Sequence, residues 1–212
     1  MDLAPEPAGT GMDTAVAFLA TLGGSAANIA AGISRLGSNA SLFSCVSSDP
    51  VGDYCLNQLA AFGVDATHVS RSHGETRTSL ALTEARVKDH RTVIYRNHAA
   101  DFEITAAQAD AIDLSTFSSV IVTGTALAVD PSRSAVLSLL KRAREAGIQT
   151  VLDIDYRPYS WASAEDAAAT LDSAARYCEI VAGNEEEFEF LAGKEGDGLK
   201  FAEEFAKGHG RV

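Results

Sequence analysis

The sequence is poor in cysteine and in positive charge, and it has no long apolar run. Its three cysteines, Cys45, Cys55 and Cys178, are odd in number and show no C-x-x-C spacing. That excludes a disulfide framework and a zinc ribbon and fits buried thiols in a reducing compartment. Seventeen Lys and Arg stand against twenty-nine Asp and Glu, a formal charge of −12. Such a balance argues against nucleic acid or an anionic membrane as a partner. It leaves room for a small anion held by a few placed arginines. No apolar run approaches the ~20 residues of a membrane span. The opening residues, MDLAPEPAGTG, have neither the basic nor the apolar region of a signal peptide. No G-x-x-x-x-G-K-[ST] loop occurs, and Ser25 lies in G-G-S-A-A rather than G-x-S-x-G. Neither a P-loop nor a hydrolase elbow is supported. His68, His73, His90, His98 and His209 form no triad and no metal spacing. Internal repeats and low-complexity tracts are also missing. The expectation is a soluble, cytoplasmic protein.

What the chain does have is enough apolar residue, 46% of 212, to bury a sizeable core. Its most distinctive stretch is GGSAANIAAGISRLG, from Gly23 to Gly37. A glycine pair before a helix lets the backbone approach a ligand closely, and the helix start offers free N–H donors. Asn28 lies about one turn in and looks buried, with its amide able to turn back to that opening. A tight turn before a close-packed Ala/Gly helix fits the same residues.

Before this stretch, Met1–Leu3 is too short to be an element, resembling the tail of a strand, and Ala4–Gly11 reads as loop. Val16–Leu22 fits a strand or a short helix. After it, Ala40–Ser47 reads as a strand, and Asp49 caps a helix that runs to Phe62 and stops at Gly63. Thr76–Ala85 and Thr92–Arg96 form a hairpin around a charged tip, Arg86–Arg91. We read it as part of a small separate sheet that can act as a flap. Beyond it the pattern is strand and helix in alternation. Phe117–Thr123, Thr150–Ile154 and Glu179–Ala182 are strands. Helices start at Asp130-Pro131, Ser163 and Asn184, and another spans Gly198–Lys207. This is the signature of a parallel α/β sheet. The Gly208–Val212 turn should feed a further strand, and with the clipped start it suggests a fragment.

Ligands of such sheets gather at the C-terminal strand ends. There stand Asp153, Asp155 and Arg157. The two aspartates share a face while the chain is extended, and they can hold a cation or be neutralised by Arg157. Asn184 and Glu187 have the spacing of a capping box. Glu187 also suits ordering the water shell of a magnesium ion. Arg96, at the end of the hairpin, can reach over the sheet to bind an anion or remain a solvated edge residue.

Taken together, these stretches resemble the ribokinase-like (PfkB) family of carbohydrate kinases over nearly the whole chain. GGSAANIAAGISRLG resembles the family's first signature and Val51-Gly52-Asp53 its V-G-x-D segment. The hairpin with Ala99-Ala100 resembles its β-lid, and Asn184-x-x-Glu187 its N-x-x-E motif. The resemblance implies a three-layer α/β sandwich with a mostly parallel central sheet. Residues 1–212 would form a partial domain with a lid at about 74–100. Most members carry D-x-N-x-R where this chain has D-I-D-Y-R. That variant resembles the branch that phosphorylates 5-dehydro-2-deoxygluconate in myo-inositol catabolism. The implied reaction is transfer from ATP, with Mg²⁺, to a sugar acid's primary hydroxyl. By the same resemblance Asp2, Gly23, Gly24, Asn28, Arg96 and Arg157 would contact the sugar acid. Asn184, Glu187 and Asp155 would serve ATP and its phosphates, with Glu187 reaching the metal through water. Pairing of two copies through the lid is a further implication. The second signature, D-T-x-G-A-G-D-x-F, does not occur in these residues, so the base is expected beyond Val212 and the chain alone is expected to be inactive. Alternatives are a 2-keto-3-deoxygluconate kinase, a neutral sugar or nucleoside kinase, and a non-catalytic sugar-binding module.

Overall fold

The computed structural model describes residues 1–84 and 91–208. The chain divides into two compact units, Met1–Glu103 and Ile104–Val212.

The first unit contains β1 (Asp2–Glu6), β2 (Ala17–Thr21), α1 (Ser25–Arg35), β3 (Ser44–Ser47), α2 (Pro50–Phe62), β4 (Val69–Ser72), β5 (Leu80–Thr83) and β6 (Thr92–Tyr95). Four of these strands make one sheet in the order β2-β1-β5-β6. β1 runs antiparallel to β2, from Asp2↔Thr21 to Glu6↔Ala17, and parallel to β5 at Asp2↔Ala81 and Leu3↔Leu82. β5 and β6 form the expected antiparallel hairpin. The C-terminal ends of β2 and β6 therefore lie beside the N-terminal ends of β1 and β5.

This sheet corrects the reading of the first residues as a strand tail and a loop. Met1–Leu3 is not too short, because the strand continues through Ala4, Pro5 and Glu6. The ladder to β5 ends at Leu3, so Pro5 lies where β1 pairs on one side only, a place where a missing N–H is tolerated. The segment around Val16–Leu22 resolves as a strand. Its period was hard to read because it is a sheet edge with exposed apolar residues, Val16 at 97% exposure and Leu19 at 51%.

The hairpin tip lies outside the described residues, except for Arg91. Arg91 donates through Nε and Nη2 to the two carboxylate oxygens of the fully buried Glu84. Glu84 also accepts the Met12 amide at 2.9 Å. The β1–β2 loop is thereby tied to the hairpin. β4 was not anticipated. Its polar V-S-R-S sequence shows no alternation, yet it pairs in parallel with β3 from Ser44↔Val69 to Ser47↔Ser72.

α2 forms where its caps predict. Asp49 accepts the Val51 and Gly52 amides at 3.0 and 3.1 Å, Pro50 opens the helix, and Gly63 closes it at φ 77°. Gly52 is required by packing, since a β-carbon there would overlap the Ser47 carbonyl. Burial pushes the Asp49 carboxyl up. The Gly52 amide, the Ser47 hydroxyl, the Val51 amide and the Arg77 charge together outweigh it and hold the group below its ordinary range. A depressed carboxylate stabilises the fold above its unfolded pKa, and that contribution fades as pH falls through the folded value. Asp49→Ala is expected to cost about 1–2 kcal/mol at neutral pH. The gap from the parent should narrow at about pH 3. Urea unfolding at both pH values checks this, and a gap independent of pH would refute it.

The second unit carries α3 (Ala106–Asp110), β7 (Ser119–Thr123), α4 (Ser132–Glu145), β8 (Gln149–Asp153), α5 (Ala164–Ala175), β9 (Ile180–Ala182), α6 (Glu185–Ala192) and α7 (Gly198–Gly208). Its sheet is parallel, in the order β7-β8-β9. Val122, Leu152 and Val181 are register partners and form a buried row across it. α4 buries Val136, Leu139, Leu140 and Ala143, the face its spacing predicts, with Ala135 added. α3 was unforeseen because five residues show no period. Its capping box, Thr105 with Gln108, was the available signal. Residues after Gly208, including the rest of the final glycine-rich turn, lie outside the described residues. Among the described residues, no helix is long and apolar enough to cross a membrane.

Candidate functional site

In the first unit the sheet register gathers three of the expected groups. Asp2 opens β1, the glycine pair follows the end of β2, and Arg96 follows the end of β6. All three lie at the same end of one sheet. Gly23 and Asp2 are in closer relation still, because a β-carbon on Gly23 would overlap the Asp2 carboxylate. Burial pushes the Asp2 carboxyl up, against the lowering effect of the amino terminus. Gly24 takes φ 94°, a left-handed backbone that favours glycine, and starts α1. No side chain caps that helix start and no acidic residue occupies its first turn. Asn28 is exposed, not buried as its setting suggested. α1 buries Ala30 and Ala31 instead, which leaves the Asn28 amide on the accessible side.

Arg96 is not a solvated edge residue. Its Nε and Nη2 lie 3.1 and 2.5 Å from one oxygen of Asp101. Its guanidinium carbon lies 4.1 Å from the centre of the Phe102 ring. The side chain is only 16% exposed. Asp101 had no sequence signal. It belongs to a three-residue 3-10 turn, Ala100–Phe102, too short to show a pattern.

The second unit holds the remaining candidates around the exit of β8. Asp153 ends the strand, and Asp155 then takes φ 36° and is buried. The chain is therefore not extended there, and the shared face expected of the two aspartates does not persist. Asp155 accepts from the Thr125 hydroxyl at 3.1 Å and pairs with Arg157 at 2.7 Å. Arg157 also lies 3.7 Å from Glu187 and donates to the Tyr156 carbonyl at 3.0 Å. Burial pushes the Asp153 carboxyl up, and the charges of Asp155 and Glu187 add to it against Arg157.

The capping box at the start of α6 is complete. Asn184 accepts the Glu187 amide at 2.9 Å, and Glu187 accepts the Asn184 amide at 3.0 Å. The other Glu187 oxygen accepts the Tyr156 amide, also at 3.0 Å. This buried carboxylate thus joins the α6 start to the segment after β8. Its two oxygens retain acceptor capacity after these bonds. Among the described residues no group of His, Cys, Asp and Glu is arranged to chelate an ion directly. A single carboxylate contacting the water shell of Mg²⁺ fits this donor set better than a protein cage.

With that geometry established, comparison with known proteins supplies the wider context. Residues 1–211 match the family described as pfkB family carbohydrate kinase. The 5-dehydro-2-deoxygluconokinase of Photobacterium profundum is 38% identical over 191 residues, covering 90% of this chain and 58% of that protein. The 2-dehydro-3-deoxygluconokinase structure from Thermotoga maritima aligns with TM-score 0.88 at 25% identity, covering 99% of this chain and 67% of that one. A sugar kinase from Pyrococcus horikoshii, solved in complex with ATP, aligns with TM-score 0.80 at 26% identity over 91% of this chain and 63% of its own. The chain spans a little over half the length of the curated relatives it matches. The α/β elements, their parallel pairing and these alignments make the fold ribokinase-like, and the chain belongs to the pfkB family of carbohydrate kinases.

Proposed function

We propose that this chain forms part of an ATP-dependent kinase that phosphorylates the primary hydroxyl of a sugar acid, 5-dehydro-2-deoxygluconate. The observation that carries this reading is the convergence of Asp2, Gly23–Gly24 and Arg96 at one end of one sheet. That end offers a carboxylate for sugar hydroxyls, an open backbone for close approach, and a guanidinium for a carboxylate. The relative from Photobacterium profundum, named for this substrate, supports the same choice.

In the proposed reaction the acceptor oxygen forms a bond to the γ-phosphorus while the bond to ADP breaks. The hydroxyl proton passes to a base. Residues 1–212 contain no G-A-G-D run, the family motif whose Asp supplies that base. In the first unit Asp2, Gly23, Gly24, Asn28 and Arg96 would contact the acceptor, and in the second unit Arg157 is by itself a candidate cation for a carboxylate. Asn184 and Glu187 would serve the phosphate side, with Asp155 beside them. Mg²⁺, when bound, would neutralise charge on the phosphates. The chain's own contribution is positioning and fixed charge.

A second substrate, 2-keto-3-deoxygluconate, is favoured by the alignment along 99% of this chain with the Thermotoga maritima kinase. Release of ADP by the whole protein, with each acid and with fructose as the neutral comparison, separates these readings. The acid with the larger kcat/KM identifies the substrate. Arg157→Ala should raise the KM for the acid by ~10-fold or more and that for a neutral sugar by less than ~3-fold. Equal effects on both would remove the sugar-acid assignment. Binding without ADP release, from a folded whole protein, would favour a non-catalytic module.

A further inference from the structure

Arg96 could meet a carboxylate in many orientations, since arginine carries about 2 kcal/mol of rotamer entropy that binding must overcome. The structure restricts it to one. Asp101 Oδ2 accepts from both Nε and Nη2, so one edge of the guanidinium is fixed. The Phe102 ring covers one face of its plane. Asp101 is itself fixed, because its Oδ1 accepts from the Ser79 hydroxyl at 2.7 Å. The strand register explains why these groups meet. Leu80 and Tyr95 are partners in the β5–β6 ladder, and Ser79 and Arg96 are the residues next beyond that pair. The 3-10 turn Ala100–Phe102 then brings Asp101 and Phe102 back to the same place.

We infer that Asp101 is a positioning residue for substrate selection. It presets the plane of Arg96, which lowers the ordering cost of meeting the substrate carboxylate. Asp101 does not touch the substrate. It acts through Arg96, with Ser79 holding it from behind. This inference rests on the proposed reading of Arg96 as a sugar-acid contact.

The test uses the whole protein and measures kcat, the KM for 5-dehydro-2-deoxygluconate, the KM for ATP and the thermal midpoint. Asp101→Ala should raise the acid KM by ~10-fold or more, with kcat and the ATP KM within ~3-fold of the parent. Asp101→Asn keeps an acceptor oxygen for the guanidinium and should recover most of the loss. Ser79→Ala should act in the same direction by ~2–3-fold, and it remains informative if Asp101→Ala does not fold. Three results would overturn the inference. One is an unchanged acid KM in folded Asp101→Ala, or in Ser79→Ala if that variant alone folds. Another is a lower acid KM, which would mean that Asp101 merely competes with the substrate for Arg96. The third is an acid KM and an ATP KM that rise together, the mark of general damage. Arg96→Ala separates this inference from the reading beneath it. If Arg96→Ala leaves the acid KM unchanged, the sugar-acid reading fails. If it raises the KM while Asp101→Ala is silent, only the role of Asp101 fails.

Discussion

Gly23→Ala is expected to lower kcat/KM for the acceptor sugar by ~100-fold while leaving the protein folded. The reason is local. An alanine β-carbon at this position would occupy the space of the Asp2 carboxylate. Gly23 does not have positive φ, so the backbone itself accepts alanine. The carboxylate is the movable partner, and the clash is relieved when Asp2 rotates away. Rotation takes the group proposed to bind sugar hydroxyls out of place. Stability should change by no more than about 1 kcal/mol, because a surface-connected side chain moves and no cavity is left. Acceptor-dependent kinetics of the whole protein, alongside urea unfolding, check both halves. Full activity in the folded variant would remove Asp2 and Gly23 from the acceptor site. Gly24 differs in kind. A side chain there would meet no atom within 4 Å, but its φ of 94° makes any substitution strained.

The second large effect is expected at Glu187, and it is one of stability as well as function. Its two oxygens accept the amides of Asn184 and Tyr156, and the side chain is buried. Glu187→Ala leaves both amides without their partner, at an expected cost of about 2–4 kcal/mol. Glu187→Gln is the sharper variant. A glutamine has one acceptor oxygen, and its NH₂ would face the other amide donor. We expect a loss of about 1–3 kcal/mol, although the volume hardly changes. Both variants should also reduce phosphoryl transfer, because the proposed contact to the phosphate side goes with the carboxylate. Denaturant unfolding gives the first quantity and ADP release the second. A Glu187→Gln protein as stable as the parent would show that the amide bond lost with the second oxygen contributes nothing to the joint between α6 and the segment after β8.

Much of the second unit could be read in advance, for a physical reason. Buried parallel strands are continuous apolar runs: Ser119–Thr123 lies within Phe117–Thr123, and Gln149–Asp153 matches Thr150–Ile154 to one residue at each end. Helix starts announce themselves when a side chain does the capping, as Asp49, Ser163 and Asn184 do. The first unit was harder. β1 contains a proline, β2 exposes its apolar residues, and β4 is polar. Each is a strand because of its ladder partners, which a local pattern does not reveal. The same division holds for the candidate site. Gly23, Asn184 and Glu187 stand in local motifs that state their own geometry. The partners of Arg96 and Asp155 do not. Asp101 and Thr125 reach them through tertiary contacts, the second across thirty positions of chain.

The left-handed turn at Asp155 has a consequence for how the family varies. A backbone at φ 36° is uncomfortable for most side chains, but aspartate and asparagine both adopt it readily. By the resemblance drawn from the sequence, asparagine is usual at this place, where this chain has aspartate. The exchange preserves the bend, the size and one acceptor oxygen. What it changes is a full negative charge 2.7 Å from Arg157. An exchange of aspartate for asparagine would therefore reset the electrical environment of that arginine without rebuilding the loop that presents it. The turn constrains the shape of the residue and leaves its charge open to selection.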